Sequence, residues 1–155
     1  MGITEPTTVR AAETPAAPPS TALPADVEQT ARAFTVAYAE HDARDGKDRD
    51  FAAAGARASQ FASGDLVAVL SQKRPSQDAA WAALRAEKAR QTVEITSTAV
   101  PDGAPAPTGS VVLARVGYTL TTVPASGPER RSGEQLALRL EQTSLGWRVT
   151  ALPWA

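Results

Sequence analysis

The run Gly109–Val123, GSVVLARVGYTLTTV, is the strongest constraint in the sequence. It is rich in β-branched and aromatic residues, which suit a pleated, half-buried surface, and Pro- and Gly-containing segments bound it on both sides. Its alternate residues sort into two sets. Val112, Ala114, Val116, Tyr118 and Leu120 share one apolar face, while Val111, Leu113, Arg115, Thr119, Thr121 and Val123 share a mixed one. That period of two predicts an antiparallel strand with one face on a core and the other in solvent. At ~3.3 Å per residue the run spans about 45 Å, more than a strand usually covers without bending. Gly117, at its middle, is where a bulge or kink is least costly.

The segments before this strand have helical periodicity. Val27, Ala31, Phe34 and Tyr38 recur at helical spacing and predict a helix over Val27–Glu40, with Asp26-x-x-Gln29 as its capping box. A charged turn, HDARDGKDRD over 41–50, precedes a second apolar stripe of Phe51, Ala54, Ala58 and Phe61, hence a helix of about Arg49–Ala62. Ser63-Gly64-Asp65 breaks it, Leu66–Leu70 forms a short third helix, and Ser76 caps a fourth over Gln77–Arg85. Strand patterns surround the central run. Lys88–Val100 places Val93, Ile95 and Ala99 against Thr92, Glu94, Thr96 and Thr98. Glu134–Glu141 turns Leu136, Leu138 and Leu140 inward, and Trp147–Trp154 does the same with Trp147, Val149 and Ala151. Helices followed by a meander of four antiparallel strands argue for an α+β domain rather than an alternating α/β one.

At 155 residues the chain has room for one well-buried core. The segment 1–24 holds Pro6, Pro15, Pro18, Pro19 and Pro24 with almost nothing to bury and is expected to be a disordered linker or tail, with the folded domain over 25–155. A net charge of −1 gives no general attraction to nucleic acid or anionic lipid. The absence of cysteine removes disulfides and thiol chemistry. Arg outnumbers Lys by 13 to 3 in an Ala-rich chain, a bias of GC-rich bacterial genomes. No apolar run approaches the ~20 residues that span a bilayer, and Met1–Arg10 has neither the basic start nor the apolar centre of a signal peptide.

Sites for chemistry are sparse. The inward strand positions offer only apolar side chains and Tyr118, with no carboxylate or histidine among them. His41 and Asp42 follow the first helix as a proton-transfer pair on paper, although adjacent residues do not face each other and a histidine at a helix C-terminus is favourable without any chemistry. Asp42, Asp45, Asp48 and Asp50 interleave with Arg44, Lys47 and Arg49 and miss the calcium-loop pattern, so no metal is expected. No phosphate loop, Ser/His/Asp set or basic aromatic stripe appears, and neither a cofactor nor nucleic acid is expected. The solvent face of the sheet is more informative. Arg115, Thr119, Thr121, Arg139, Arg148 and Trp154 share it with Glu94, Thr96, Thr98, Glu141 and Thr150, and Val111, Leu113, Val123 and Leu152 make part of it apolar.

This order of elements resembles the nuclear transport factor 2-like fold, a cone in which a curved sheet wraps an amphipathic first helix. The resemblance rests on Phe34 and Tyr38 in that helix and on the closing Gly146-Trp147-Arg148-Val149 strand, and it covers about 25–154. Linker followed by cone is similar to extracytoplasmic domains of actinobacterial membrane-anchored proteins, namely scaffold subunits of conjugation and type IV secretion machines, and Mce-associated proteins. The resemblance implies a non-enzymatic domain that docks through its outer sheet face, with protein partners in an envelope assembly or further copies of itself. Its implied place is outside the cytoplasm, held by an anchor that this chain lacks; the alternative is a cytoplasmic protein. The superfamily's isomerase-like and polyketide cyclase-like enzymes imply a second function, binding or converting a small apolar ligand inside the cone, with Tyr38, His41 and Asp42 as the residues concerned.

Overall fold

The computed structural model describes residues 22–153. Residues 1–21, most of the expected linker, and Trp154 of the expected docking face lie outside the described residues. Helix α1 (Ala25–Ala39) runs into the two-residue strand β1 (His41–Asp42). Helix α2 (Phe51–Ala58) continues as a 3-10 turn, Ser59–Phe61, and is followed by α3 (Asp65–Leu70). A second 3-10 turn, Pro75–Gln77, leads into α4 (Asp78–Glu87). Strands β2 (Arg90–Ala99), β3 (Val111–Val123), β4 (Arg130–Thr143) and β5 (Gly146–Ala151) complete one antiparallel sheet of order β1-β2-β3-β4-β5.

The sheet curls around α1. Val27, Ala31 and Phe34 are wholly buried against Val112, Ala114, Val116, Leu138, Leu140 and Val149, so both predicted apolar patterns meet in one core. Tyr38 extends the stripe, its ring stacked on Phe34 at 5.5 Å between centroids. Thr35 is also buried, and its hydroxyl donates to the Ala31 carbonyl at 2.8 Å, which satisfies the one polar atom on that face. Leu23 already belongs to this core, slightly ahead of the expected domain boundary. A second, smaller core of Ala43, Trp81, Leu84 and Ala89 sits against Phe51 beside β1.

Five strands stand where four were expected. His41-Asp42, read as part of the charged turn, pairs with Gln91 and Arg90 of β2; a two-residue strand has no periodicity to read and forms only because β2 offers it an edge. Helix starts also shift. α1 begins at Ala25, so Asp26 lies inside the first turn with Glu28 and makes no side-chain cap; both acids still face the positive helix end. Ser76 likewise lies within a 3-10 turn and does not cap α4. α2 is shorter at both ends than its stripe implied because Asp50 is extended and the chain tightens after Ala58. β4 begins at Arg130, four residues early, drawn out by unbroken pairing with β3.

Two bulges account for the misplaced faces. The one expected at Gly117 lies opposite it, in β2, where the register shifts between Ile95 and Ser97 while β3 and β4 stay in register. A single extra residue exchanges the two faces of everything beyond it. Thr98 therefore pairs with inward-facing Val116 and Ala99 with outward-facing Arg115, the reverse of the expectation. A second shift, between Arg139 and Leu140 against β5, puts Ala151 opposite Arg139 on the outer face, and Leu152 packs against the core instead of lying outside. Beyond β1, the backbone N–H of Val93 donates to the Glu40 carboxylate at 3.0 Å. On the far side, Ala62 makes a parallel bridge with Val149 of β5.

Gly55 fixes how α2 meets α3. A Cβ at this position would stand 1.8 Å from the Leu70 carbonyl oxygen, a contact that only backbone movement relieves. Gly55→Ala is expected to destabilise the fold by about 1–3 kcal/mol, read as a lower urea midpoint. Gly109→Ala, which meets nothing within 4 Å, is the control and should stay within about 0.5 kcal/mol. Equal midpoints for the two variants would mean that α3 shifts without cost.

Candidate functional sites: the cone mouth and the outer sheet face

The mouth of the cone holds a cavity of about 320 Å³ between the end of α1, the α2–α3 corner and the wide end of the sheet. Its walls include Tyr38, Phe51 and Leu70 on the helical side and His41, Tyr118, Leu120 and Glu134 on the strands. Of the three residues tied to chemistry inside the cone, Tyr38 and His41 meet here and Asp42 does not. Asp42 turns away and takes the Arg44 guanidinium, at 2.8 Å from Nε and 2.6 Å from Nη2, which holds its carboxyl below the usual carboxylate range.

The His41 ring is held from several sides. Its edge contacts Phe51, with centroids 4.6 Å apart, and Trp81 stands 5.2 Å from Phe51 in the same cluster. Nδ1 lies 3.0 Å from Gln91 Oε1, and Gln91 Nε2 donates to Thr122 Oγ1 at 3.1 Å. With the amide nitrogen committed to Thr122, the amide oxygen is the acceptor, so Nδ1 carries the ring proton and Nε2 keeps its lone pair. Burial lowers the His41 pKa below 6.5, outweighing the hydrogen bond to Gln91 and the charge of Asp48. The imidazole at the mouth is a neutral acceptor.

Glu134 corrects the expectation that the inner face carries no carboxylate. It pairs with Tyr118 across β3 and β4 on that face. The alternation of Leu136, Leu138 and Leu140 already placed it inward, at the strand's expected first residue. Burial, followed by the charges of Glu134 and Tyr38, raises the pKa of the Tyr118 hydroxyl, so the phenol stays protonated. Nothing in the sequence pattern brings Arg74 and Gln77 to the cavity, because they arrive on the 3-10 turn before α4.

The acidic turn is neutralised by ion pairs, two of them reaching into helices α2 and α4. Asp42 pairs with Arg44, Asp45 with Arg85 and Lys88, Asp48 with Arg57, and Asp50 with Lys73. Among the described residues no group of His, Asp or Glu is arranged to hold a metal ion. Asp48 also accepts from the Asp42 backbone N–H at 3.0 Å, so the turn is braced against α2 through Arg57.

The outer face gathers the remaining predicted residues. The register sets Glu94 beside Thr119, Thr121 between Thr92 and Arg131, Arg115 between Ala99 and Ala137, Arg139 beside Leu113, and Arg148 beside Glu141. Arg139 lies 3.4 Å from Glu141, which also accepts from the Thr150 hydroxyl at 2.9 Å. Arg115 has small neighbours on either side and no salt bridge among the described residues, leaving its charge available on a flat surface. No helix among the described residues is long and apolar enough to cross a membrane.

His41 is the sole histidine, and its titration sets a window for stability. Its folded pKa lies below the unfolded value, so its contribution is complete above pH 6.5 and is lost as pH falls from there through the folded pKa. The urea midpoint of the wild type should fall more steeply between pH 7 and pH 5, as about two units of acidification cross that window, than that of His41→Gln. Parallel profiles would show that the ring is not held neutral by the fold.

No family model matches the sequence, and no curated protein matches it. Among solved structures, the chain is similar to the structure of Agrobacterium tumefaciens VirB8 protein, with 18% sequence identity and a TM-score of 0.59 over 82% of this chain and 88% of that chain. A likeness spanning almost all of both chains at so low an identity is a likeness of fold: the chain is an α+β cone of the nuclear transport factor 2-like kind, with its helices in the concave face of the sheet.

Proposed function

We propose that this chain is a protein-interaction domain that works as a scaffold without catalysing a reaction, the extracytoplasmic part of a membrane-anchored component of a conjugation or type IV secretion assembly. An Mce-type transport assembly is the related host. The observation that carries this reading is the fold shared with VirB8 over 82% of this chain and 88% of that chain. The outer sheet face supports it physically. Arg115, Arg139 and Arg148 stand among threonines and small residues on a broad surface, where charged hydrogen bonds can fix a partner's register and the flat apolar stretches at Val111 and Leu113 can bury area. The mouth cavity favours a second reading, binding of a small molecule inside the cone, in which Tyr38 and His41 take part and Asp42 does not.

Thr119→Lys with Thr121→Lys adds two positive charges at the wide end of the outer face. The tagged domain, crosslinked in envelope fractions of a GC-rich actinobacterial host, should recover secretion, conjugation or lipid-import components, and the double variant should lose them. Its melting temperature should stay within about 2 °C of wild type. Recovery of the same partners by both proteins removes the outer face from the docking surface, and recovery of none by the wild type overturns the scaffold reading.

A further inference from the structure

The polar groups around the mouth cavity are divided by sign. On the sheet side stand the Glu134 carboxylate and, at the start of β1, the neutral His41 ring, whose Nδ1 is held by Gln91. Both accept hydrogen bonds. On the helical side stands Arg74, with Gln72 and Gln77 beside it. Among the described residues neither Glu134 nor Arg74 is in a salt bridge, although every carboxylate of the nearby acidic turn is. Opposite charges that share one cavity without closing on each other leave complementary ends for a ligand that bridges them.

The space between is aromatic and apolar. Tyr38, Phe51 and Tyr118 present rings, and Leu70, Leu120 and Val69 fill the remaining wall. At about 30 Å³ per water, the 320 Å³ cavity holds roughly ten waters or one small organic molecule of that bulk. We propose that the cone mouth binds a small zwitterion of the amino-acid or dipeptide class. Its ammonium group meets Glu134, its carboxylate meets Arg74, and its side chain lies among Phe51, Tyr38 and Leu120. An anion alone would leave Glu134 facing like charge, and a simple amine would leave Arg74 unmatched. The inference goes beyond the scaffold reading and does not depend on it, because the outer face takes no part in this site.

Three probes that share the phenylethyl skeleton separate the charges: L-phenylalanine, 2-phenylethylamine without the carboxylate, and 3-phenylpropionate without the ammonium. Phenylalanine, or the dipeptide L-phenylalanylglycine, should raise the melting temperature by about 3 °C at about ten times its Kd, with the single-charge probes at the same concentration giving clearly less. Glu134→Gln and Arg74→Gln should each weaken binding at least about tenfold. Both side chains belong to exposed residues, so the unliganded variants should melt with the wild type. Thr119→Lys with Thr121→Lys should bind the probes normally. Equal shifts from all three probes, no shift from either zwitterion, or full binding by both charge variants would each overturn the proposal.

Discussion

The packing of α1 into the curl of the sheet is the interaction on which the rest depends. Val27, Ala31 and Phe34 have no accessible surface, and the residues that cover them come from three strands and the α2–α3 corner. Burying a side chain of this size contributes about 1.5–3 kcal/mol, so this one face holds the sheet, the helical corner and α1 as a unit. The site geometry follows from it. Tyr38 reaches the mouth because it lies one turn beyond Phe34 on the same stripe, and β1 can dock on β2 because α1 ends at Ala39, beside the sheet edge.

Much of this was legible in the sequence wherever a period ran long enough. The alternation in 111–123 located β3 and its faces, and the stripe through Phe34 located α1 and its buried side. Legibility failed where a single residue changed the count. The extra residue near Thr96 and the shift at Arg139 each exchange the faces downstream, and no local preference signals either, since both depend on how one strand fits against the next. β1 failed for the opposite reason: it is too short to carry a period.

The candidate sites divide along the same line. The outer-face arginines and threonines were readable because parity alone assigns them a side, except beyond the bulges. Glu134 was readable from parity and had only to be counted. His41 was picked out as the lone histidine, but its neutrality depends on burial against Phe51 and Trp81, which come from two other elements. Arg74 had no signal at all, because a residue in an irregular turn acquires a role only through what the fold sets opposite it.

The two margins of the sheet are finished differently. On one side Glu40 covers the Val93 N–H and a bulge follows within a few residues; on the other, Ala62 bridges Val149 and the Ser63 N–H takes its carbonyl. A strand margin with free amides in flat register templates the addition of foreign strands, which is how sheet proteins begin to aggregate. Here the bent and occupied margins oppose that growth. The domain can therefore be crowded at high local density without polymerising edge to edge.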